Sequence, residues 1–225
     1  MQGALRWEGA PGATHSYYQG RLAGSNIADI LLGWNFASSV TSRDFRLDAR
    51  VDWPGSPAYV ALARLNGSLD ARFNDGQLRQ VEGTASALRI FGLLNFESIR
   101  RRLRLDFSDL FGKGLSYDSI TGVLDAQQGA FRTRKPISLS GPGAEMSLQG
   151  LLDMASNRVD ANLKVGLPVS NSLPLAALIA GAPAIGGALF IVDRLIGDRI
   201  TRMASINYHI EGPWQNPTMT TGKRD

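Results

Sequence analysis

The sequence predicts a mainly β (α+β) protein: a twisted antiparallel sheet curled into a hydrophobic groove, with a few short helices at its ends. Three observations carry this. Phe45, Leu47, Ala49, Val51 and Trp53 alternate with Asp44, Arg46, Asp48, Arg50 and Asp52, the period of a strand with one dry and one charged face. The same alternation recurs along most of the chain between clusters of Gly, Pro, Asn and Ser, giving about a dozen strands. Only three patches carry helical spacing.

Taken in order, Leu5 and Trp7, then Tyr17, Tyr18, Leu22 and Ala23, read as two strands joined by the loop GAPGAT. Ser25 or Asn26 caps a short helix through a side-chain oxygen, and Ile27, Ile30, Leu31 and Trp34 form its apolar face. After the charged-face strand and a WPGSP turn, Leu65, Gly67, Leu69, Ala71 and Phe73 repeat the alternation, and Asn74, Asp75 and Gly76 read as a turn.

Between residues 84 and 102 the period lengthens, with Leu88, Phe91, Leu94 and Ile99 roughly on one face, and strand spacing returns at Leu103, Leu105 and Phe107. Leu115 and Tyr117 follow a Gly-Lys-Gly turn, and then come short strands over 120–126, 130–133, 137–140, 144–152 and 159–167. Ala204, Ile206, Tyr208 and Ile210 make a last strand, and residues 218–225 read as a frayed tail.

Residues 173–192, LPLAALIAGAPAIGGALFIV, carry no charge and are long enough to span a bilayer. Pro174, Pro183, Gly181, Gly186 and Gly187 interrupt the run, so it reads as two short helices, a hydrophobic insertion over 172–199 within one domain covering 1–225. Leu175, Leu178, Ile179, Leu189, Phe190, Ile191 and Leu195 exceed what such a hairpin needs to cover itself. The insertion either plugs the sheet as core or dips into a membrane as an interfacial element.

Composition excludes several functions. There are 24 basic and 20 acidic residues, a net charge of +4, too little for the dense positive field of a nucleic-acid binder. The chain has no cysteine, hence neither disulfide nor thiolate metal site. It opens on MQGALRWEG with neither signal peptide nor transmembrane anchor, and reads as part of a longer protein.

No nucleophile elbow, P-loop or zinc-protease motif occurs. His15 falls in a loop and His209 on the polar face of its strand, the place of a solvated histidine. Asp106, Asp109 and Asp118 fit turn capping better than any calcium loop. Neither catalysis, metal nor cofactor is expected. Arg100, Arg101 and Arg102, near Arg89 and Arg104, either offset a helix dipole or meet anionic headgroups.

A dozen half-apolar strands present a long dry face that needs covering by protein or by something else apolar. Leu69, Ala71, Phe73, Met146, Leu148, Leu163 and Val165 fall on the dry phase of their strands and are expected on one face, where acyl chains would touch them. The runs RIFGLLNFESIRRRLRLDFSDLFGKGLSYDSITG, LSGPGAEMSLQGLLDMASNRVDANLKV and LPLAALIAGAPAIGGALFIVDRLIG followed by ASINYHIEGPWQNP resemble the carboxyl-terminal region of YhdP-type proteins of the AsmA-like family. The resemblance runs from about Leu65 onward. It implies a fragment of a long Gram-negative envelope protein, anchored in the inner membrane and crossing the periplasm as a β-groove that carries phospholipid. This chain would be its end near the inner leaflet of the outer membrane, with an envelope protein as a further possible partner. The alternative is a non-catalytic structural or docking module of the periplasm.

Overall fold

The computed structural model describes residues 2–10, 13–29, 40–78, 115–168, 190–196, 199–214 and 217–222. Its strands are β1 (Gln2–Glu8), β2 (His15–Ser25), β3 (Val40–Pro54), β4 (Asn66–Leu78), β5 (Leu115–Gln127), β6 (Ala130–Ser140), β7 (Glu145–Asp153), β8 (Arg158–Pro168), β9 (Phe190–Ile196), β10 (Arg199–Pro213) and β11 (Thr218–Thr221). They form one antiparallel sheet in the order β1-β2-β3-β4-β5-β6-β7-β8-β10-β11, with β9 also pairing β10. Each strand through β8 therefore lies beside its neighbours in sequence, a meander that does not close on itself.

Local chemistry sets the connections. Gln128 and Gly129 both have positive φ, 49° and 80°, which a two-residue hairpin between β5 and β6 requires. Asp153 Oδ1 accepts a hydrogen bond from the Ser156 amide at 2.9 Å, and Asn157 has φ 58°, turning β7 into β8. Trp214 braces that hairpin, its Nε1 donating to the Asp153 carbonyl at 3.1 Å. Between β3 and β4 the chain makes two single-turn 3-10 helices, Pro57–Tyr59 and Leu62–Arg64.

Several expectations change in the folded chain. Asn74-Asp75-Gly76 is not a turn, because β4 runs on to Leu78. Asp75 takes φ 47° inside the strand and switches its phase, so that Phe73 and Leu78 are both buried at an odd interval. Neighbouring β3 switches between Ser42 and Phe45, and β5 between Tyr117 and Ile120. Since the three switches are side by side, the rows Val40, Leu78, Leu115 and Phe45, Phe73, Ile120 stay paired. Tyr117 crosses over Gly76 to donate to the Thr41 carbonyl at 2.6 Å. A Cβ at Gly76 would lie 2.6 Å from Tyr117 Oη and run into the Thr41 carbonyl.

The segments 130–133 and 137–140 are one strand, β6, with register shifts opposite β5 and β7. Pro136 sits in that irregular stretch, where a missing amide costs no ladder bond. The tail contributes β11, with Glu211 opposite Thr218.

The second helix expected within 172–199 is contradicted over 190–196. Phe190, Ile191 and Leu195 belong to β9, which pairs with β10 from Ser205 opposite Phe190 to Arg199 opposite Ile196. At the amino end, residues 27–29 are helical, with Asn26 Oδ1 accepting from the Ala28 amide at 3.3 Å. The rest of that helix, the segment 84–102, the strand at Leu103 to Phe107, and residues 172–189 fall outside the described residues.

Candidate functional site: an apolar slot on the inner face

Strand registers assemble the inner-face side chains into rows that run across the sheet. One row joins Phe45, Phe73, Ile120, Leu139, Met146 and Val165 from β3 to β8. A second, one pleat along, joins Leu22, Leu47, Ala71 and Gly122 from β2 to β5. It continues through Ile137, whose Cγ1 lies 3.1 Å from where a Gly122 Cβ would stand, to Leu148, Leu163 and Tyr208. A third begins with Gly3 on β1 and runs through Gly20, Ala49, Leu69 and Leu124 to meet Thr133 on β6. The fourth joins Val51, Gly67, Ala126, Phe131, Leu152 and Val159.

Exposure differs sharply between these rows. Apart from Gly67, the residues given for the first and fourth rows are buried and act as walls. The middle two are partly exposed over β2 to β5: Leu22, Leu47, Ala71 and Gly122 in one, Gly20, Ala49, Leu69 and Leu124 in the other. They form the floor of an apolar slot. From β7 onward the row of Ala71 and Gly122 is buried, with Leu148 6% exposed and Leu163 1%. A cavity of about 140 Å³ lies at this transition, lined by Ala71, Phe73, Leu124, Ile137, Leu148 and Leu163 among others.

All seven residues expected on one dry face, Leu69, Ala71, Phe73, Met146, Leu148, Leu163 and Val165, lie on the inner face, spread over three of its rows. Alternation alone does not single out Leu22, Gly122, Leu124 and Ile137 as slot residues. Leu47 stands in the plainest alternating strand, and its period is the signal that marks it. Leu175, Leu178, Ile179, Leu189, Arg100, Arg101 and Arg102 lie outside the described residues, as do Asp106 and Asp109.

Charge is kept to the other face. Asp48 takes hydrogen bonds from Arg46 Nε at 2.6 Å and Arg21 Nε at 2.7 Å, which hold its carboxyl below the usual range. His15 is the first residue of β2, not a loop residue, and lies 2.8 Å from Asp52. His209 faces outward as its phase requires, yet it is buried. Its Nδ1 is 3.2 Å from Asn162 Oδ1, and its Nε2 lies 3.6 Å from Asp160 and 3.5 Å from Glu211. The solvated histidine expected there is corrected by that packing against β8. Burial pushes the Tyr208 phenol up to about 12 and Tyr117 in the same direction, since a phenolate among buried apolar side chains loses its hydration.

Among the described residues, no group of three or more His, Asp or Glu side chains is placed to hold a metal ion, and no helix is long and apolar enough to cross a membrane. What the slot offers is apolar surface open along one side, suited to a long, thin hydrocarbon.

The family described as YhdP protein matches residues 1–219. A relative, the intermembrane phospholipid transporter YhdP of Escherichia coli (strain K12), is 25% identical over 211 residues, which cover 94% of this chain and 16% of the relative. This chain thus spans about a sixth of the length of that relative. No solved structure matches it. With the family match running from the first residue to within a few positions of the last, the chain belongs to the YhdP family.

Proposed function

We propose that this chain is one section of a bridge that moves phospholipids between the inner and outer membranes of a Gram-negative envelope. The carrying observation is the slot: an accessible floor of Leu, Ala and Gly between two buried apolar walls. Exposed apolar surface of this kind costs about 25 cal/mol per Å² in water, and acyl chains laid along it remove that cost. The phospholipid-transporting relative supplies the substrate class. Headgroups stay in solvent at the slot mouth, so binding needs neither catalytic nor metal chemistry.

In the finer reading, residues 1–225 form one β-groove domain at the outer-membrane end of a periplasmic protein anchored in the inner membrane. Leu175, Leu178, Ile179 and Leu189, with Phe190, Ile191, Leu195 and the arginines Arg100, Arg101 and Arg102, would meet the inner leaflet of the outer membrane. An envelope protein is a further partner in this reading.

The test is extraction of the protein purified without detergent, followed by mass spectrometry of the extract. Phospholipid bound in near-stoichiometric amount is the expected result. Protein that emerges free of lipid would overturn the reading in favour of a structural or docking module.

A further inference from the structure

Tyr18 and Tyr117 are built alike and end differently. Each stands on the inner face and lays its ring over glycine. A Cβ at Gly76 would lie 2.6 Å from Tyr117 Oη, and one at Gly20 would lie 2.5 Å from Tyr18 Oη, with Gly3 beside it at 3.0 Å. Covering bare glycine backbone with an aromatic ring is a recurrent device of sheets, and phenylalanine serves it as well as tyrosine. The hydroxyl therefore needs its own account. Tyr117 is buried and its Oη donates to the Thr41 carbonyl at 2.6 Å. Tyr18 is half-buried, and among the described residues its Oη has no hydrogen-bond partner.

Strand register fixes where that oxygen lies. Tyr18 stands between Leu5 and Val51 in the fourth row, and its ring points back to the third, where Gly3, Gly20 and Ala49 are side by side. Oη thus rests on the slot floor. The floor side chains around it, Leu22, Leu47, Ala49 and Leu69, carry no polar atom. Beyond it Leu5 and Trp7, on the inner face of β1, are 54% and 58% exposed, so the apolar surface runs past Tyr18 in both directions.

A hydroxyl in this place meets one of two surroundings when lipid displaces its water. Against methylenes its donor is left unmet, which is unfavourable. Against the junction of headgroup and tails it finds an acceptor, and in a phospholipid the acceptors nearest the hydrocarbon are the ester carbonyls. Tyrosine, with an apolar body and a polar tip, suits that boundary. The phosphate lies further out, with the headgroup in solvent.

We propose that the Tyr18 hydroxyl is a register point for passing lipid, donating a hydrogen bond to an ester carbonyl while the acyl chains lie on the Leu and Ala floor. This rests on the phospholipid reading above. One such bond favours a lipid in that register by about fivefold, enough to set where it pauses and too little to hold it. Passage across the sheet continues on either side.

The test loads the full chain from vesicles holding equal amounts of diacyl phosphatidylethanolamine and its dialkyl ether counterpart, matched in chain length, and measures both in the re-isolated protein by mass spectrometry. The parent is expected to hold about fivefold more ester than ether lipid. Tyr18→Phe keeps the ring over Gly3 and Gly20 and removes the oxygen, so it should melt with the parent, still carry lipid, and hold the two kinds in equal amounts. A parent without preference, or a Tyr18→Phe protein that keeps the preference, would overturn the register point and leave the phospholipid reading standing. In the first of these cases, a fall of both lipids in Tyr18→Phe would mark the phosphate as the acceptor instead. A variant that melts well below the parent would place the hydroxyl in the packing of the fold and overturn the proposal as well. Parent protein that takes up neither lipid would overturn the phospholipid reading itself.

Discussion

Leu47 and Leu148 stand in the same floor row but differ in exposure, so arginine at each position separates loss of fold from loss of lipid. At Leu148, which is 6% exposed, Leu148→Arg forfeits about 1.5–3 kcal/mol of side-chain burial. The cavity of about 140 Å³ beside it can take part of the longer side chain, but an unpaired buried guanidinium adds several kcal/mol more. The sum exceeds about 5 kcal/mol, comparable to the whole stability of many domains, about 5–15 kcal/mol. For a chain of this size each kcal/mol moves the melting temperature by about 2–4 °C. Leu148→Arg is therefore expected to melt more than about 10 °C below the parent.

Leu47 is partly exposed, so the guanidinium of Leu47→Arg can reach water while its stem stays on the floor. The expected cost in stability is about 1 kcal/mol or less, within the range of ordinary surface substitutions. The cation now stands in the slot, and bound phospholipid should fall at least about tenfold, the consequence of losing about 1.4 kcal/mol of binding. Thermal unfolding by circular dichroism and lipid phosphorus per protein read the two effects separately. A Leu47→Arg protein that keeps its full lipid content would refute the assignment of the floor. A Leu148→Arg protein that melts with the parent would refute the burial of Leu148.

Two further outcomes follow from the buried tyrosines. Tyr117→Phe removes the 2.6 Å hydrogen bond to the Thr41 carbonyl and should cost about 1–3 kcal/mol, since the acceptor is left without that donor; an unchanged denaturant midpoint would contradict it. Burial raises the Tyr208 phenol from its usual 10.0 to about 12, so the folded state favours the protonated form. Its contribution to stability is complete below pH 10 and is lost as the pH rises through about 12. Alkaline unfolding followed by phenolate absorbance should flatten in this window for Tyr208→Phe, and native tyrosines that all ionise near pH 10 would refute it.

How much of this was legible from the chain depends on which physical question is asked. Period-two spacing located the strands because an inward-facing side chain must recur at every second residue, and the interior of β3 follows that rule from Phe45 to Trp53. It misread Asn74-Asp75-Gly76, since a local demand for positive φ is met equally well by a turn or by a phase switch within a strand. Only the partner strands, with their own switches at Ser42 and Tyr117, decide between these. Phe190 to Ile196 read as helix because an apolar run lacks a period that separates the two states. Gly197-Asp198, of the Gly-Asp type that joins two-residue hairpins, was the competing signal.

The slot was harder to see for a different reason. Alternation assigns Leu47 and Leu148 to the same dry face, but it does not say how far water reaches along that face. That is a property of rows across the sheet and not of any one strand. Gly20, Ala49, Ala71 and Gly122 illustrate this. Each looks like a weak strand position in its own segment, contributing little side chain to a core. Brought side by side by the registers of four strands, they keep the floor low while Phe45, Phe73 and Ile120 on one side and Val51 and Ala126 on the other raise the walls. Larger residues at those four positions would fill the trough with the protein's own side chains, so the small side chains there keep the slot open.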